Sequence, residues 1–110
     1  MRGGQVVIDG AHTLGMFDNP DFSDFHYSDI VVFNCHKWLS GSRGTGLLWI
    51  LNDEIRSNIR SFVISHGSKS GFQSDFMWQG NKDYANYLSL NTSLDCRRLF
   101  LLEEHCNEIF

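Results

Sequence analysis

A chain of 110 residues can form one small domain with a modest core, and a 42% hydrophobic share marks globular material rather than a disordered tail. A formal charge of −4, with no basic stripe or run of like charges, argues against nucleic acid as the main partner. No stretch reaches the roughly 18 consecutive apolar residues of a membrane span, no leader-like apolar run opens the chain, and the cysteines (Cys35, Cys96, Cys106) are odd in number, so a cytoplasmic protein with reduced thiols is expected.

The first predicted strand is Gln5 to Asp9, an apolar run, Val6-Val7-Ile8, that ends in a carboxylate. Residues 10–25 are polar and turn-rich, with a breaker at Asp18-Asn19-Pro20-Asp21, and Pro20 suits the first position of a short helix. Asp29 to Asn34 is the second strand, apolar on both faces as parallel strands covered by helices are. A glycine- and serine-rich loop, HKWLSGSRGTG, leads into a third continuously apolar strand, Gly46 to Leu51. Asn52-Asp53-Glu54 is a helix start with Asn or Asp as cap, opening a short polar helix that runs to Ser61. Val63 to Gln79 reads as a long loop. From Lys82 or Asp83 onward, Tyr84, Tyr87, Leu88, Leu94, Leu99 and Leu102 recur at helical spacing, which predicts a helix to the end of the chain with an interruption near Asn91. Three apolar strands with one strong helix to cover them match a piece of a larger α/β sheet better than a free-standing fold.

The first two strands each deliver polar groups at the carboxyl end, the edge where open parallel sheets bind ligands. The first delivers Asp9 and His12; the second delivers Asn34, His36 and Lys37. Positions 9 and 37 lie 28 apart, close to the roughly 30 residues of one βαβ unit, so an acid and a lysine can face one cleft. A lysine leaving a buried strand suits chemistry that needs a neutral amine; the alternative is an exposed loop lysine, paired with Asp9 or with nothing, and for Asp9 the alternative is a cap on the turn at Gly10. Cys35 reads as a small buried hydrophobe rather than a nucleophile. Cys35-His36 and His105-Cys106 lack the separation of zinc-ligand pairs. GSRGTG lacks the GK[ST] ending of a nucleotide-binding loop.

Three segments, DGAHTLG, NCHKWLSGSRGTGLLWI and SHG…GF…FMWQGNKDYANYLSL, resemble class V aminotransferase-fold enzymes that use pyridoxal 5'-phosphate. The nearest branch is isopenicillin N epimerase-like, itself similar to cysteine desulfurases and related sulfur lyases. The resemblance runs from about Gln5 to about Leu94. It implies an α/β fold, in which this chain is a fragment of the large domain of a type I PLP-dependent transferase, mostly parallel strands with helices. Residues 1–110 would then be a partial PLP-binding domain lacking its N-terminal part and the C-terminal small domain.

By the same resemblance, Lys37 matches the lysine that forms the internal aldimine and then moves the α-proton, and Asp9 matches the acid that pairs with the pyridinium nitrogen. His12 matches a residue near the phenolic oxygen of the cofactor, and His36 a histidine on its phosphate side. Asn34 stands where desulfurase relatives carry serine, and can still donate a hydrogen bond. Arg43 and Gly44 match an arginine-glycine pair in the loop after the lysine, where Ser42 replaces a common proline. Gly44 and Gly46 serve the turn and close backbone approach. Gly80 and Asn81 fall where relatives have glycine-threonine reaching the phosphate of the partner subunit, which implies a homodimer in the full-length family. Trp78 is read as wall or core.

Two classes of function follow. One is a PLP-dependent enzyme acting on a small-molecule amino acid at its α-carbon, by epimerase, lyase, desulfurase or transaminase chemistry. The other is a non-catalytic truncated fragment, or a ligand-binding module without turnover. The residues that would complete the cofactor shell are expected before Asp9 and after Leu94, so the isolated chain is expected not to turn over substrate.

Overall fold

The computed structural model describes residues 3–16, 22–77 and 80–99. Three strands form one sheet in the order β1 (Val7–Asp9), β2 (Ile30–Asn34), β3 (Gly46–Ile50). β1 and β2 are parallel, in register Val7 with Ile30 and Asp9 with Val32, so the two predicted strand ends do lie side by side. Among the described residues, the crossover between them carries a short 3-10 helix, Phe22–Phe25. Pro20, the expected helix start, lies outside the described residues.

β3 corrects the expectation of a mostly parallel sheet. It pairs with β2 antiparallel, Ile30 opposite Ile50 and Asn34 opposite Gly46. The reason is the connection. Residues 35–45 hold no helix, and a parallel return needs a crossover of a dozen or more residues, usually helical. The sheet is therefore mixed, half parallel and half antiparallel in its pairings.

Val31, Phe33 and Cys35 alternate along β2 and its extension and are buried on one face, while Ile50, opposite Ile30, is buried on the other. Fully burying side chains such as these contributes about 1.5–3 kcal/mol each. The ring of Phe25 meets Phe33 edge-on, and Phe22 meets Trp49 the same way, so the 3-10 helix covers one sheet face with aromatic edges. That second face is otherwise open: Val7, Val32 and Leu48, all on it by register, stay substantially exposed. Continuous apolarity predicted cover on both faces, and the described elements supply it mainly on one.

α1 (Asp53–Asn58) starts where predicted, with Asn52 as its N-cap accepting from the backbone N–H groups of Glu54 and Ile55, and ends three residues before Ser61. The segment read as a long loop holds a second short helix, α2 (Phe72–Met77). Its buried Asp75 accepts from the Lys69 backbone N–H at 2.7 Å. α3 (Ala85–Leu99) is continuous through Asn91, with no interruption. Asp83 accepts from the Ala85 N–H at its start, and Leu102 lies outside the described residues. Tyr84, Tyr87, Leu88, Leu94 and Leu99 are exposed, so the apolar period located the helix without being buried by it. Among the described residues no helix is long and apolar enough to cross a membrane.

Candidate functional site

The site is built where β1 and β2 end. After Asp9 the chain makes one more ladder bond, Gly10 N–H to the Val32 carbonyl at 2.8 Å, and then two successive turns closed by Thr13 on Gly10 and Met16 on Thr13. Asp9 Oδ1 accepts from the Ala11 N–H at 3.0 Å, so the turn-capping alternative is realised. That bond occupies one oxygen of an exposed carboxylate.

Gly15 explains how this turn reaches β2. It has φ +81, and a Cβ there would stand 2.8 Å from the Trp38 carbonyl and the Leu39 nitrogen. The backbones of the two segments touch at that point, which only glycine permits. His12 is thereby laid against Lys37.

The lysine sits in its own closed turn. Ser40 N–H donates to the Lys37 carbonyl and Gly41 N–H to the Cys35 carbonyl at 2.7 Å, with Ser40 held in the left-handed region at φ 58. From α3, the buried Arg97 donates to the Trp38 carbonyl at 2.7 Å. Ser42 and Ser89 hydroxyls, 3.0 Å apart, join the same loop to the same helix. The lysine segment is thus fixed by its own turn and by a helix some sixty residues away.

At the centre, Lys37 Nζ lies 3.1 Å from His12 Nε2, and the Trp38 indole N–H donates to His12 Nδ1 at 3.3 Å. Lys37 makes no ion pair among the described residues, so Asp9 and Lys37 share the sheet edge without direct contact. No group of three or more metal-ligating side chains occurs among the described residues.

Asn34 and His36 belong to a neighbouring open depression of about 390 Å³, which Val32, Thr45, Leu48 and Tyr87 of α3 also line. His36 Nδ1 is buried there without a hydrogen-bond partner among the described residues. Arg43 is exposed, outside any ion pair of the described residues. Gly44, at φ +85, and Gly46, whose Cβ would meet the Phe33 carbonyl at 2.9 Å, serve backbone geometry as expected. Gly80 and Asn81 are exposed, and no hydrogen bond among the described residues ties them to Asp9, His12 or Lys37. Trp78, His105 and Cys106 lie outside the described residues.

Burial pushes the Cys35 thiol above its ordinary value, against a smaller opposing hydrogen bond with Thr45. The thiol stays protonated at neutral pH, in line with a core role. Sequence reasoning missed Trp38, Gly15 and Arg97. The adjacency of Trp38 to Lys37 and the glycine closing DGAHTLG were local signals for the first two; Arg97 had none, because its partner is 59 positions away.

No protein-family model matches the chain, and no solved structure matches it. Among curated proteins it is similar to one from Oryza sativa subsp. japonica named "Putative L-cysteine desulfhydrase 1", 30% identical over 92 residues. The match covers 83% of this chain and 19% of that protein, so the chain spans about a fifth of the length of this relative.

Proposed function

We propose that this chain is the lysine-bearing part of the large domain of a pyridoxal phosphate enzyme of the class V aminotransferase family, acting on an amino acid at its α-carbon. The observation that carries the reading is the His12–Lys37 contact at the carboxyl edge of two parallel strands, the first of which ends in Asp9. The similarity to a protein named as a cysteine desulfhydrase points the same way and favours sulfur-containing amino acids as substrates.

The residues present suit the cofactor. One oxygen of Asp9 is held by the Ala11 N–H, which orients the carboxylate and leaves its second oxygen for a protonated ring nitrogen. The buried His36 Nδ1, without a hydrogen-bond partner among the described residues, is a polar atom that suits the phosphate side. When bound, pyridoxal phosphate supplies a carbonyl that condenses with an amine and a ring that takes up electrons from a bond broken at the α-carbon. Lys37 would hold the cofactor and, when released, accept or return a proton at its Nζ. Asp9 would keep the ring nitrogen protonated. His12 would stand beside the reacting amine, and Asn34 would donate from the adjoining depression. In the longer protein, Gly80 and Asn81 would face a partner subunit of a homodimer.

The test is covalent trapping. The 110-residue chain is mixed with pyridoxal phosphate, reduced with borohydride and mapped by mass spectrometry. A single adduct on Lys37, abolished in Lys37→Ala, is expected. A folded protein with no adduct, or with adducts spread evenly over surface lysines, overturns the reading.

A further inference from the structure

We propose that Trp38 is a positioning residue that fixes the tautomer of His12, placing the imidazole proton on Nε2 so that His12 donates to Lys37. An indole has one polar atom, and it only donates. The bond from Trp38 Nε1 to His12 Nδ1 therefore makes Nδ1 an acceptor, with no proton of its own. A neutral imidazole carries one proton, and it must then sit on Nε2, since the bond made by one ring nitrogen sets the state of the other. Nε2 is the atom that faces Lys37 Nζ at 3.1 Å.

The same reasoning passes to the lysine. An ammonium has three N–H donors and no lone pair, so it would confront the Nε2–H with another donor. The amine form has a lone pair to receive it. The Trp38–His12–Lys37 chain of contacts is therefore complete only when Lys37 is a free amine, the form that attacks a carbonyl. No carboxylate among the described residues pairs with Lys37 to favour the ammonium instead. Gly15, by allowing the turn to touch the Trp38 backbone, sets the spacing on which both bonds depend. The consequence for cofactor capture rests on the proposed function; the tautomer does not.

The test uses the 110-residue chain labelled with 15N-histidine, with His12 assigned by its loss in His12→Gln. At a pH where the imidazole is uncharged, His12 should show an unprotonated Nδ1 and a protonated Nε2. In Trp38→Phe, which keeps an aromatic ring and the backbone carbonyl that Arg97 holds, the two nitrogens should move toward the averaged shifts of a tautomer mixture. Borohydride trapping of pyridoxal phosphate on Lys37 should slow several-fold in the same variant. A wild-type His12 protonated on Nδ1 or unchanged shifts in Trp38→Phe overturn the proposal, and equal trapping rates overturn its consequence for Lys37. If Trp38→Phe does not fold, the wild-type spectrum decides. If neither protein forms an adduct, the proposed function fails and the nitrogen shifts judge the tautomer on their own.

Discussion

A methyl group at position 15 has nowhere to go. The space is taken by the Trp38 and Leu39 backbone, and φ +81 disfavours any L side chain besides. Gly15→Ala should destabilise the chain by about 1–3 kcal/mol, the cost of a strained backbone residue, read as a lower urea midpoint with an unchanged slope. Trapping at Lys37 should fall further than stability alone explains, because His12 moves with the turn. At this scale much of the site was legible. Asp9, His12 and Lys37 stood out as polar residues released by apolar strands, and two of them meet. Asp9 does not touch Lys37, and the sequence could not say so, since a shared sheet edge fixes neighbourhood and not side-chain reach. Arg97 was invisible for a different reason: an arginine on a helix is ordinarily solvated, and only the fold reveals a carbonyl beneath it.

Asp29 is where three elements are tied. One carboxylate oxygen accepts from the Val6 N–H just before β1, the other from the Asn52 side chain at the cap of α1, and Asp29 itself leads into β2. The Val6 bond, reinforced by Asn52, holds its carboxyl below the usual carboxylate range. Folding then favours the deprotonated form, so its contribution is complete above the ordinary carboxylate value and is lost as pH falls through the lowered one. Asp29→Asn should lower the urea midpoint at about pH 7, and its difference from wild type should shrink toward about pH 2, measured by parallel denaturation at both. Element starts were readable wherever local chemistry sets them, as Asn52 does for α1. Two features were not. α2 is six residues whose single i, i+4 apolar pair, Phe72 and Phe76, is too short to mark a period, and the direction of β3 is decided by the length of its connection rather than by its own composition.

For the molecule as a whole, β2 is the one strand among those described with hydrogen-bonded neighbours on both sides, and together with its extension at Cys35 it holds most of the buried core. Its amides should exchange with solvent slowest, and those of the exposed α3 faster, in a native-state hydrogen-exchange experiment. Equal protection across both would mean that the helix is held by more than the contacts described. The open face carrying Val7, Val32 and Leu48 accounts for what the strands announced and the described chain leaves unmet. Apolar runs report how much cover a sheet expects, not whether the cover lies within reach.

The hydrogen bond from Arg97 to the Trp38 carbonyl closes a long span of chain onto the residue after the lysine. Free-energy coupling between two sites is reciprocal. Whatever steadies the lysine turn must therefore steady α3 to the same degree, and whatever grips α3 must make the turn easier to occupy. A helix remote in sequence, which carries none of the candidate site residues, thereby becomes a handle on the order of the lysine turn.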